Sequence, residues 1–143
     1  MQDETIELLK QCESGVKMAV SSIDEVLDNV KNNRFKEMLI DFKNKHLKIE
    51  KEIHNLLKQY NENDKEPNPV AKSMSWIKIN VKITIDDSDQ TIADLMTDGC
   101  NMGTKTLSKY LNKLLNADET SRKICEHLIY IEDNFANSIR CYL

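Results

Sequence analysis

Three histidines, four cysteines and a few carboxylates set among apolar residues are the groups in this chain best suited to bind a metal ion or move a proton. Glu13 falls at helical spacing between Leu9 and Val16, and His46 falls likewise between Phe42 and Ile49. Glu132 lies within the face set by Leu128, Phe135 and Ile139. A carboxylate or imidazole on such a face has to be paired or neutralised, because bare burial of a charge is costly. The expected state of each is a core group hydrogen-bonded to a partner. The alternative is a metal site drawn from His46, Glu13, Glu50, Cys100 and Glu132, with iron, zinc or manganese as the candidate ion. Glu50 and His127 fall at the boundaries of their faces, and His54 lies further round its helix, where solvation is expected.

The cysteines carry less. No pair has the CxxC spacing of a zinc site or redox dithiol. Cys12 and Cys125 read as small buried hydrophobes. A nucleophilic thiol needs a neighbouring base, and Cys100 with His46 is the pairing that the topology below permits. Gly99 and Gly103 flank Cys100-Asn101-Met102 inside a helical pattern, where each glycine costs about 1 kcal/mol relative to alanine. Close approach of two helices is the expected compensation, with room for a ligand beside Cys100 as the alternative. No complete catalytic motif is present, and a non-catalytic role is expected.

Four amphipathic segments position these groups. In residues 3–31, Ile6, Leu9, Val16, Val20, Ile23, Leu27 and Val30 recur in steps of three and four. In residues 34–61, Phe35, Leu39, Phe42, Ile49, Ile53, Leu56 and Tyr60 do the same. Both are helices with an apolar seam. The short Lys31–Arg34 link makes them an antiparallel hairpin. Asp86-Asp87-Ser88-Asp89 offers N-caps to a third helix reaching about Leu115, with Ile92, Leu95, Met96, Met102, Leu107, Tyr110, Leu111 and Leu114 as its apolar positions. A turn at residues 116–118 leads to a fourth helix over about 118–141.

The hairpins are separated by a break at residues 61–69, which holds both prolines, and by residues 70–85. Ile77, Ile79, Val81, Ile83 and Ile85 alternate as a strand would, while Val70, Met74, Ile77, Val81 and Ile85 make a helical stripe. A lone strand would have no partner, so a short crossover helix is expected. It would span roughly 24 Å at 1.5 Å per residue, enough to return the chain along the bundle. The third helix then runs parallel to the second. Cys100 and Glu132 come near the level of His46, and Glu13 comes near Glu50 and Thr106. The whole is one all-α domain, residues 1–143, a four-helix bundle of ferritin-like topology.

Several stretches resemble the uncharacterised bacterial ferritin-like proteins grouped as a domain of unknown function. They are Cys12-Glu13-Ser14-Gly15-Val16-Lys17-Met18, Ser22-Ile23-Asp24-Glu25-Val26-Leu27, Glu66-Pro67-Asn68-Pro69, Ser75-Trp76-Ile77-Lys78, Thr91-Ile92-Ala93-Asp94-Leu95 and Thr97-Asp98-Gly99-Cys100-Asn101-Met102-Gly103. The resemblance implies the fold and a helical crossover; it implies no reaction. Better-known ferritin-like proteins hold two metal ions with Glu-x-x-His motifs. This chain departs from them: Lys43, Lys51 and Ile124 stand three residues before His46, His54 and His127. That argues against di-iron chemistry.

Composition sets the remaining bounds. Hydrophobic residues make up 40% and charged residues 31%, sufficient for a packed interior. Glycine and proline number only 3 and 2, which favours long helices over many short strands. The net charge of −4, with both signs interspersed, gives no basic stripe for nucleic acid. No apolar run is long enough for a membrane span. The acidic start, Met-Gln-Asp-Glu, is followed by no signal-peptide core, so a cytoplasmic protein with reduced cysteines is expected. The expected partner is a second copy, with Trp76 and the isoleucine stripe of residues 70–85 as contact surface.

Overall fold

Three of the helix starts are written as side-chain caps. Asn32, Ser88 and Asp118 each accept a hydrogen bond from the backbone amide three residues on, at Phe35, Thr91 and Ser121. The computed structural model describes residues 2–60 and 86–143. Within them lie α1 (Gln2–Leu27), α2 (Asn33–Gln59), α3 (Asp89–Lys113) and α4 (Glu119–Ser138), followed by a single 3₁₀ turn, Arg140–Tyr142. The described residues contain no strand, and the helices form an all-α four-helix bundle. The expected crossover helix over residues 70–85, and Trp76 on it, lie outside the described residues.

The element edges differ from expectation by a few residues. α1 stops at Leu27, not residue 31, because Asn29 N donates to Val26 O and Val30 N to Leu27 O, closing a turn in place of the next helical step. Val30 stays buried from within that turn. α3 ends at Lys113, where Arg122 Nη1 reaches back to the carbonyl oxygens of Leu111 and Leu114. That guanidinium satisfies carbonyls that a helix end leaves without amide partners. α4 gives way to the 3₁₀ turn at its C-terminus, whose Tyr142 stacks on Phe35 with ring centroids 4.5 Å apart.

Hydrogen bonds at the two ends of the bundle fix the helix directions. At one end, the Asp89 carboxylate accepts from Lys31 N at 2.8 Å and from Asn32 N at 2.9 Å. The start of α3 therefore sits on the α1–α2 turn, where α2 also starts. At the other end, Asp118 N donates to Thr5 Oγ1 at 2.8 Å and Tyr60 Oη donates to Asp118 Oδ2. The start of α1, the end of α2 and the start of α4 meet there. α2 and α3 thus run in the same direction, as the length of the segment between them predicts.

α1 packs on all three other helices, and α4 packs on α1, α2 and α3. The core runs along their shared axis, from Leu8, Leu9 and Leu57 at one end to Val26, Phe35 and Ile139 at the other. One expected apolar position and one expected polar neighbour fail. Met102 is 51% exposed, because Gly103 and Leu107 turn the inward face of α3 past it. Thr106 is exposed as well, one step of about 100° from the buried Leu107, so it cannot share a polar layer with Glu13.

The Asp89 contact makes a direct prediction. Asp89→Ala removes two charge-assisted acceptors from the turn and should lower stability by about 1–2 kcal/mol in urea unfolding, with helix content in the folded state unchanged.

Candidate functional site

The seam that places His46 inward also places it beside α4. His46 is fully buried and Glu132 is 6% exposed; His46 Nε2 lies 2.9 Å from Glu132 Oε1. The other ring nitrogen, Nδ1, lies 2.9 Å from Phe42 O, one turn back on α2. A carbonyl oxygen can only accept, so Nδ1 carries a proton and donates it. The contact from Nε2 to Oε1 then holds one further proton between imidazole and carboxyl group. The unit is neutral whether that proton resides on nitrogen or on oxygen, which is how two ionisable groups sit together in an apolar interior. Phe42 closes the layer. Its ring meets His46 edge-on at 4.3 Å and stacks flat on Phe135 at 3.9 Å.

Cys100 approaches the same layer from α3. It is buried, and its thiol is pushed far up, first by burial and then by the charge of Glu132 beside it. That is the reverse of the lowered thiol that nucleophilic cysteines need. Its neighbour is a carboxyl group in place of the imidazole base that an active thiol would use.

Gly103 lies against the Glu132 carboxyl. A Cβ there would stand 3.6 Å from Glu132 Cδ, an ordinary contact distance. Gly99 has nothing within 4 Å of where its Cβ would be. The close helix approach expected for this glycine pair is therefore not found: one glycine faces a side chain and the other faces open space.

Glu13 is buried as expected, and its Oε1 stands 4.0 Å from Lys17 Nζ on its own helix. Glu50 is half-buried on α2. Of the five candidate ligands, the structure brings together His46, Glu132 and Cys100. Among the described residues, no three His, Cys, Asp or Glu side chains converge in a way that could hold a metal ion. His54 is half-buried, not solvated, and His127 is exposed, stacked on Tyr130 at 6.5 Å. A second thiol contact lies deeper toward the α4 start. The neighbouring Cys125 thiol, ahead of burial, drives the Cys12 thiol up. Cys125 Sγ also lies 3.7 Å from Leu107 O. All four cysteines are free thiols, and only Cys141 is exposed.

Sequence reasoning missed a concavity on the surface of the bundle. Between α2 and α4 runs an open groove of about 960 Å³. Phe42, Ile49, Ile131 and Phe135 form its floor, Arg34, Lys45 and Glu52 stand on the α2 wall, and Tyr130 stands on the α4 wall. Tyr130 is 62% exposed. Nothing in the residue pattern marks the groove, which forms only where α2 and α4 pack together. No helix among the described residues is long and apolar enough to cross a membrane.

With this geometry in hand, comparison with known proteins gives no further guide: no family model, no curated protein and no solved structure matches the chain.

Two measurements check the site. Glu132→Gln keeps a donor for His46 Nε2 and should cost under about 1 kcal/mol, whereas Glu132→Ala strands the imidazole beside a cavity and should cost about 2–4 kcal/mol. Nitrogen-15 shifts of His46 should show a protonated Nδ1 in both the parent and the glutamine variant. Thiol titration with a disulfide reagent should count one reactive cysteine in the native protein, Cys141, and all four only after unfolding.

Proposed function

We propose that the chain is a ferritin-like helical interaction protein that works as a homodimer and carries out no reaction of its own. The observation that carries this reading is the open groove on the α2–α4 face, set against an interior whose buried imidazole has both ring nitrogens committed. A ligand entering the bundle would have to break the contact between His46 and Glu132, while a partner at the groove would break nothing. An exposed aromatic beside an apolar floor is the composition that protein interfaces favour. The ferritin-like assignment draws on the parallel α2 and α3, on the length of the segment joining them, and on the resemblance to uncharacterised bacterial ferritin-like proteins. A cytoplasmic setting fits four cysteines that are all free thiols.

One observation favours a second reading, a ferritin-like protein with a non-standard metal site: Glu132 lies between His46 and Cys100. Metal entry there would have to displace the proton held by His46 and Glu132 and ionise a thiol that burial and Glu132 both oppose.

The two readings separate in one preparation. Size-exclusion chromatography with light scattering should show a dimer at micromolar concentration, and elemental analysis after incubation with iron, zinc and manganese should show no stoichiometric metal. A monomer at every concentration would overturn the first reading. A stoichiometric metal that disappears in His46→Ala would establish the second in its place.

A further inference from the structure

On the α2 wall of the groove Asp41 and Lys45 pair within the helix at 3.1 Å, and the charges as a whole follow an order that this local pairing does not set. Arg34, Glu37, Asp41, Lys45, Lys48 and Glu52 all lie exposed on it. At about 100° per residue they fall within one stripe about 80° wide, and from first to last they cover about 27 Å of axis. Read along the helix, their signs are plus, minus, minus, plus, plus, minus. Turned end for end about the level of residue 43, this order maps onto its own opposite. Arg34 falls opposite Glu52, Glu37 opposite Lys48 and Asp41 opposite Lys45. The apolar residues at the foot of the wall exchange under the same operation, Met38 with Ile49.

A two-fold axis imposes this kind of self-complementarity, since it sets each residue of a patch against the patch of an identical copy. We propose that the groove between α2 and α4 is the homodimer interface, with α2 of one copy antiparallel to α2 of the other and the axis near the level of residue 43. This rests on the homodimer reading above and names the surface that serves it. Each pairing occurs twice across the axis, so the six wall charges of each copy are all matched. A copy placed parallel, in register, would set like charge against like at every position. The wall thus selects one orientation, which is the main work of charges at an interface.

The dimensions are adequate for a modest dimer. A strip about 27 Å long and two helices wide, about 20 Å, would cover about 540 Å² on each copy. The total of about 1,100 Å² lies near the lower bound for specific association. Tyr130 stands at the lip of the groove, about 3 Å along the axis from the level of His46 and Glu132. The two-fold carries it to the opposite end of the partner groove, over the Met38 end of the floor. There the exposed ring gains an apolar seat that one copy alone does not provide.

Charge reversal and rescue test this. Arg34→Glu sets two like-charge pairs at the interface and should raise the dimer dissociation constant at least about tenfold by sedimentation equilibrium. Arg34→Glu combined with Glu52→Arg restores both pairs and should return the constant to the parent value. Tyr130→Ala should weaken the dimer without changing the helical circular dichroism, and without changing the melting temperature at a concentration low enough for the parent to be monomeric, because the side chain is exposed in a single copy. A dimer indifferent to Arg34→Glu and to Tyr130→Ala would overturn the proposed surface and leave the homodimer reading standing. A parent protein that stays monomeric at every concentration would overturn both.

Discussion

The direction of α3 decides which side chains can meet inside this bundle, and one carboxylate holds that direction. The links from Leu27 to Asn33 and from Lys113 to Glu119 are too short for anything but antiparallel neighbours. Only the segment between Tyr60 and Asp86 leaves a choice. Asp89 resolves it by seating the α3 N-terminus on the amides of Lys31 and Asn32. Its negative charge also suits the positive end of the α3 dipole. Beside it, Asp86 accepts from the Thr91 hydroxyl at 2.6 Å and from the Ser88 amide at 2.9 Å, and these bonds, the hydroxyl first, hold its carboxyl below the usual range. Were α3 reversed, α4 would reverse with it. Glu132, which lies past the middle of α4, would then move to a different level from His46.

Given that arrangement, the contact between His46 and Glu132 acts as a register key. Apolar residues pack with some tolerance of position, because one aliphatic side chain can take the place of another of similar volume. A buried donor and acceptor have no such freedom. Sliding α4 by one turn, about 5.4 Å, would leave the imidazole and the carboxyl group each facing hydrocarbon. The pair need not add net stability to perform this role, since its worth lies in how poorly the alternatives satisfy it.

Much of this was legible in the sequence, and the limits have physical reasons. Helical periodicity alone marked Glu13, His46 and Glu132 as inward, and all three are buried. It also set Cys100, Glu132 and His46 at one level, because rise per residue is nearly constant. What periodicity cannot give is the rotation of one helix about its axis relative to the next. Met102 and Thr106 were misplaced for that reason, both sitting one step from true inward positions on α3. The end of α1 was overrun because Val30 keeps the apolar pattern while belonging to the turn. The two glycines read as a pair in sequence, yet only Gly103 faces another helix's side chain. The groove was invisible for a different reason: a charged stripe looks the same in sequence whether it borders open water or a valley with an aromatic floor.

Core and surface are not independent here. The groove floor is built from the outer edges of the residues that fix the interior register. Phe42 and Phe135 stack nearly parallel, 7° between planes, just beside the His46 layer. Flat stacking lets α2 and α4 meet through two thin rings, and long side chains flank the seam on each side. Arg34, Lys45 and Lys48 line the wall and are exposed, and side chains of this kind combine an apolar stem with a charged end. A shift of α4 against α2 would therefore do two things at once. It would unpair His46 from Glu132, and it would shear the floor on which the charge order of α2 is displayed. The buried contact between His46 and Glu132 and the stacked rings of the floor therefore depend on one and the same register of α4 against α2.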